Sequence, residues 1–133
     1  MEYRIKSRSK RTQKFINSVL PSMIRQLGLE NSKKFLFIDV CRIGTDNGST
    51  VPMPGLDAIV VALKPAKWQE MGVTLAHEMV HVKQLAKGYL RAEGGTKWWH
   101  GKKYSKKTKY LDMPWELDAF AKQEIIFRRA LEE

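Results

Sequence analysis

Between Ala66 and Lys87 the residues Trp68, Met71, Leu75, Met79, Val82 and Ala86 recur at helical spacing and Gly88 closes the run, which predicts a long helix with one apolar stripe. The same stretch carries His77, Glu78 and His81 in the pattern His-Glu-x-x-His. Residues four apart on a helix differ by about 40° in azimuth and about 6 Å in height, so the two imidazoles project toward one point. The apolar stripe lies elsewhere on the circumference. Such a pattern also arises by chance on solvated helix faces. Here it takes two of the three His in the chain, and a helix apolar enough to be buried needs a reason to carry three clustered ionisable groups. Chelation of zinc by His77 and His81, with Glu78 placed as general base, is that reason.

The remaining elements predict an α+β fold. Ser9 to Leu29 reads as a first helix, with Phe15, Ile16, Val19, Leu20, Met23, Ile24 and Leu27 at helical spacing and Pro21 inside it, to kink it or to start a second short helix. Phe35–Cys41 and Ala58–Leu63 are short β-branched and aromatic runs, expected as an antiparallel pair flanking a long loop, Gly44–Gly55, with at most a little extended structure. Tyr89–Leu111 is a loop or a loose hairpin around Lys97–Tyr104, and Asp112 and Pro114 cap and open a last helix running to about Leu131. The 133 residues suit one domain: a small antiparallel or mixed sheet packed against the N-terminal helix, the His-Glu-x-x-His helix and the last helix. The basic segment 1–14 is left free to be flexible.

A catalytic zinc needs a third protein ligand and an open position. The single Cys41 excludes a Cys-rich framework and an intramolecular disulfide, leaving His and carboxylates. Glu116, 35 residues after His81 and one turn into the last helix, is the favoured candidate. His100, 19 residues after His81, would complete a three-His site, and Asp112 is better explained as a helix cap. Tyr110, Tyr104 and His100 are available to stabilise an oxyanion. Asp118, Asp112 and Glu124 are candidates by type to orient the imidazoles, and Thr74 to orient Glu78. Trp98, Trp99 and Trp115 read as core.

The run His77–Gln84, the Trp-rich Gly-Lys segment Trp98–Tyr104, and Pro114-Trp115-Glu116 followed by Ala119 together resemble the zincins. Within these they are most similar to small gluzincin-like metallopeptidases of phages and bacteria near the SprT-like group, over roughly Trp68 to Phe120. The resemblance implies a compact zincin-like fold whose upper-rim strand binds extended peptide. It also implies a zinc-dependent peptidase working through a zinc-bound water with Glu78 as base, and Glu116 as third ligand as in gluzincins. SprT-type and Spartan-type proteases use a third His commonly followed by Gly, so His100-Gly101 keeps the rival assignment open.

Charge adds a second reading. The formal net charge is +10, six basic residues and no acid lie between Arg4 and Lys14, and nine basic residues face only Glu93 between Lys83 and Lys109. Such patches favour anionic partners, so the alternative is a catalytically weak or inactive module binding nucleic acid or a nucleoprotein. With no apolar stretch of about 18 residues and no signal-peptide core after the basic start, no membrane span and a cytoplasmic setting are expected, that of the host if phage-encoded.

Overall fold

Alternating burial along Tyr3–Lys6, with Tyr3 and Ile5 turned inward and Arg4 and Lys6 out, makes the N-terminal residues a strand, β1. The computed structural model describes residues 1–42, Gly44 and 46–133; Ile43 and, within the expected loop, Thr45 lie outside the described residues. Helix α1 (Lys10–Gln26) follows, its amino end capped by Ser9, which accepts from the Thr12 N–H. Pro21 is accommodated inside this one helix rather than dividing it. Then come β2 (Phe35–Val40), β3 (Gly48–Met53), β4 (Ala58–Leu63), α2 (Trp68–Ala86), β5 (Leu90–Glu93), β6 (Thr96–Trp99), β7 (Lys102–Tyr104) and α3 (Pro114–Glu132), with a short 3-10 turn at Tyr110–Asp112 before α3. No helix among the described residues is long and apolar enough to cross a membrane.

The first sheet has the order β1-β2-β4-β3, and it corrects the expected antiparallel pair: β2 and β4 run parallel, Phe35 opposite Ala58 through Val40 opposite Leu63. The physical reason is β3. It lies antiparallel to β4 on the far edge, so the chain reverses twice between β2 and β4. The second reversal is the turn Met53-Pro54-Gly55-Leu56, closed by Leu56 N–H donating to the Met53 carbonyl at 3.3 Å, with Gly55 at φ 80°. Pro followed by Gly at those two positions suits a type II turn. The second sheet is a meander, β5-β6-β7: of the two expected alternatives the hairpin around Lys97–Tyr104 is present as β6–β7, Lys97 opposite Tyr104, and β5 adds a third strand.

Two differences concern the termini of elements. β1 pairs in parallel with β2, Tyr3 opposite Leu36 through Lys6 opposite Asp39, so part of the segment expected to be flexible is sheet. Helix α3 is capped by Met113, not Asp112, which sits in the preceding 3-10 turn. Pro114 is the reason: a residue before proline is driven from the helical region, and Met113 holds φ −81°, ψ 114°. With Met113 extended, the helix begins one residue later than a cap at Asp112 requires.

The inward residues of the first sheet, Leu36, Ile38, Ile59, Val61 and Leu63, join Ile16, Leu20 and Met23 of α1, Met71, Leu75 and Met79 of α2, and Ile126 and Phe127 of α3 in one core. Full burial of each such side chain contributes roughly 1.5–3 kcal/mol. Gly72 of α2 packs directly against α3: an added Cβ there would stand 2.1 Å from the Phe127 ring. Gly72→Ala is therefore expected to destabilise the fold by about 1–3 kcal/mol despite alanine's better helix propensity. Thermal denaturation checks this; an unchanged or raised midpoint would mean the helices are not locked at this distance.

Candidate metal centre

Helix α2 delivers His77 and His81 one turn apart, their ring centroids 4.9 Å from each other, and the first turn of α3 delivers Glu116 opposite them. Glu116 Oε1 lies 3.0 Å from His77 Nε2 and 3.0 Å from His81 Nε2. One donor atom from each of these three buried residues falls within 4.8 Å of the others. His100 is not in the group. It occupies the exposed β6–β7 turn at φ 48°, stacked on Tyr89 with centroids 5.0 Å apart.

The outward nitrogens explain which face each ring presents. Gln84, only 1 % exposed, donates through Nε2 to the Trp115 carbonyl and to Asp118 Oδ2, each at 2.9 Å. Both partners only accept, so its Oε1 must be the end facing His81 Nδ1 at 2.8 Å, and that nitrogen must carry a hydrogen. Neutral His81 then directs the Nε2 lone pair at the convergence point. His77 Nδ1 has Gln123 Oε1 at 2.8 Å. Without a cation, His81 could satisfy Glu116 only as a buried imidazolium, a state with a heavy desolvation cost. Two imidazole lone pairs and a carboxylate with an open side instead form the donor set of a catalytic-type zinc site, and the residues present fit that ion.

Charge in the site follows from these contacts. With no metal bound, burial alone would raise the Glu116 carboxyl, but hydrogen bonds from His77, His81 and Tyr110 outweigh it and hold it far below the usual carboxylate range. Burial opposes protonation of His77, yet its hydrogen bonds to Glu116 and Gln123 and the nearby carboxylates prevail and raise its pKa. Burial also lifts Glu78 above the ordinary glutamate value, against the Thr50 hydrogen bond and the imidazoles. Tyr110 donates to Glu116 Oε1 at 3.1 Å. Its own burial and the charge of Glu116 push its phenol well up.

Glu78 faces the same cleft but is held from the sheet. Thr50 on β3 donates through Oγ1 to Glu78 Oε1 at 2.7 Å, a role for which Thr74 was a candidate. Thr74 instead packs on Gly48, where an added Cβ would stand 2.9 Å from Thr74 Cγ2 and 3.1 Å from Glu78 Cγ. Absence of a side chain at Gly48 is what lets β3 lie this close to α2. The cleft, about 410 Å³, is lined by Gly48–Pro52, the four site residues, Tyr110, Lys97 and Trp115. Of the three oxyanion candidates only Tyr110 borders it. Tyr104 packs edge-on against Trp115 at 5.3 Å and His100 lies in its turn.

Sequence reasoning missed Gln84 and Gln123. Their signal was present: Gln84 lies three residues after His81 and Gln123 seven after Glu116, spacings that share a helix face. Asp118, proposed by type to orient an imidazole, does so one step removed, by holding Gln84. Glu124 and Asp112 make no hydrogen bond to either ring among the described residues. Comparison with protein-family models, with curated proteins and with solved structures finds no match, so the functional reading rests on the residues themselves.

Proposed function

We propose that this chain is a zinc-dependent, zincin-like peptidase, with His77, His81 and Glu116 holding the metal and Glu78 acting as general base. The observation that carries the reading is the convergence of two imidazole Nε2 atoms and one carboxylate beside a second carboxylate, Glu78, that lines the same cleft without joining them. Bound there, zinc would supply Lewis acidity, lowering the pKa of a water and polarising a carbonyl.

The chain's own residues do the rest. Thr50 occupies one oxygen of Glu78, which fixes the carboxylate and leaves its other oxygen free to take a proton from the attacking water and hand it to the leaving amine. Tyr110, with its phenol kept protonated, would turn its one O–H from Glu116, then a ligand of the metal, to the reacting carbonyl oxygen. The edge strand β3 lines the cleft, and its unpaired edge offers backbone groups to an extended peptide.

The test is metal-dependent turnover. Chain stripped with a chelator is expected to leave an unfolded, labelled protein such as reduced casein intact, and one equivalent of zinc to restore its cleavage. Cleavage that persists in the stripped chain would overturn the proposal.

A further inference from the structure

The outer face of the first sheet is left bare by a fold that would ordinarily cover it. Parallel sheets are as a rule packed on both faces; here β1, β2 and β4 run parallel, yet α1 and α2, with α3 packed on them, lie against the inward side, where Leu36, Ile38, Ile59, Val61 and Leu63 are buried. On the other side one row crosses all four strands: Arg4 opposite Phe37, Phe37 opposite Val60, Val60 opposite Val51. Phe37 is 39 % exposed and Val51 52 %, and none of this row belongs to the core or packs on it. Phe35, two residues along β2, sets its ring 4.7 Å from that of Phe37. A hollow of about 550 Å³ opens here, bordered by Arg4, Lys6, Ser7, Gln13, Phe37 and Asp39.

The rim of this face is cationic. Arg4 and Lys6 point outward from β1 and border the hollow beside Gln13 of α1, and the chain goes on through exposed Arg8, Lys10, Arg11 and Lys14. Among the described residues none of the six forms an ion pair. Two acids share this side, Glu2 in the same alternation as Arg4 and Lys6 and Asp39 opposite Lys6 in the register, fewer than the six basic residues of the segment. A second copy of the chain would bring the same positive rim against this one, which opposes self-association. A partner that complements the face must carry regular negative charge and flat apolar surface together.

We infer that this face binds single-stranded nucleic acid, its phosphates along Arg4, Lys6 and the basic start of α1 and a base stacked on Phe37. Stacking on an exposed aromatic beside a cationic track is how single strands are held without sequence readout. A duplex hides its base faces, so the single strand is the preferred form. Arg4, Lys6 and Phe37, which carry the inference, border a hollow that shares no lining residue with the metal cleft; Val51 at the far end of the row is where the two surfaces adjoin.

The experiment is fluorescence anisotropy of a labelled mixed-sequence single-stranded DNA 15-mer, and of its duplex, with the full chain at two salt concentrations. Wild type is expected to bind the single strand more tightly than the duplex, with affinity falling steeply as salt rises. Phe37→Ala is expected to weaken binding about tenfold or more and Phe37→Trp to keep it, a tenfold loss being the size of one lost base stack. The pair Arg4→Gln, Lys6→Gln is expected to lower both affinity and salt slope. Zinc content, measured on each variant, stays at the wild-type level, which separates this inference from the fate of the peptidase reading. No binding at low salt, binding indifferent to Phe37→Ala, or preference for the duplex would each overturn it. So would sedimentation showing a dimer that Phe37→Ala dissolves, because the face would then be occupied by a second copy.

Discussion

Glu78→Gln leaves the zinc content of the chain unchanged and lowers peptide cleavage by a factor on the order of 10²–10⁴, the usual contribution of a positioned general base. The amide is nearly isosteric with the carboxylate and still accepts the hydrogen bond that Thr50 Oγ1 makes at 2.7 Å. It exchanges a buried charge for a neutral group, so the fold does not suffer. Because Glu78 is not among the three converging donors, metal affinity is expected to be untouched. Initial rates on a labelled peptide library, with zinc measured on the same preparations, check both halves. Full activity in the variant would remove Glu78 as the base, and loss of zinc would make it a ligand.

Gln84→Leu is the second large effect, and it acts without touching the metal. The substitution keeps volume and deletes three hydrogen bonds, leaving the His81 Nδ1–H, the Trp115 carbonyl and one contact of Asp118 unsatisfied in a buried place. At roughly 1–3 kcal/mol for each stranded buried group, the stripped chain should lose about 3 kcal/mol, a fall in melting temperature on the order of 10 °C. Zinc affinity is expected to drop about 10- to 100-fold, because His81 is no longer held in the tautomer and orientation that present Nε2. Gln123→Leu is the instructive contrast. Gln123 is only half-buried, so water can replace its oxygen at His77 Nδ1, and the loss should be several-fold smaller. Titration against a chromophoric chelator ranks the variants, and equal affinities in wild type and Gln84→Leu would show that the amide does not orient the ligand.

What could be read from the sequence was what a single helix dictates. His77, Glu78 and His81 are related by helical geometry alone, so their grouping needed no tertiary information. Glu116 was reachable because Pro114 marks the start of α3 and sets the carboxylate in a first, rigid turn. The missing parts are those that depend on chain reversals. β3 has the sequence Gly-Ser-Thr-Val-Pro-Met, without apolar alternation and with a proline that only an edge strand accepts, and it reads as loop until β4 is beside it. Once β3 was hidden, the parallel pairing of β2 and β4 and the Thr50 contact, 28 residues from Glu78, were hidden too. β1 does alternate, Tyr-Arg-Ile-Lys, but four residues at the head of a basic run carry a weak signal against one that favours disorder.

The same reasoning places the rival ligand. His100-Gly101 sits in the β6–β7 turn, where the positive φ of both residues, 48° and 83°, makes a tight reversal. The His-Gly pair thus has a local, conformational use. Trp99, Tyr104 and Lys97 surround Trp115 at 6.5, 5.3 and 5.4 Å, so the meander serves as a wall that seats the first turn of α3 and with it Glu116.

The most direct test of a His77–His81–Glu116 metal centre is zinc per chain, by elemental analysis, in wild type and Glu116→Ala after loosely held metal is removed and one equivalent is returned. The arrangement predicts about one zinc in wild type and a small fraction of that in the variant, since a two-imidazole remnant lacks the third protein ligand. No retained zinc in wild type, or equal zinc in Glu116→Ala, would contradict it.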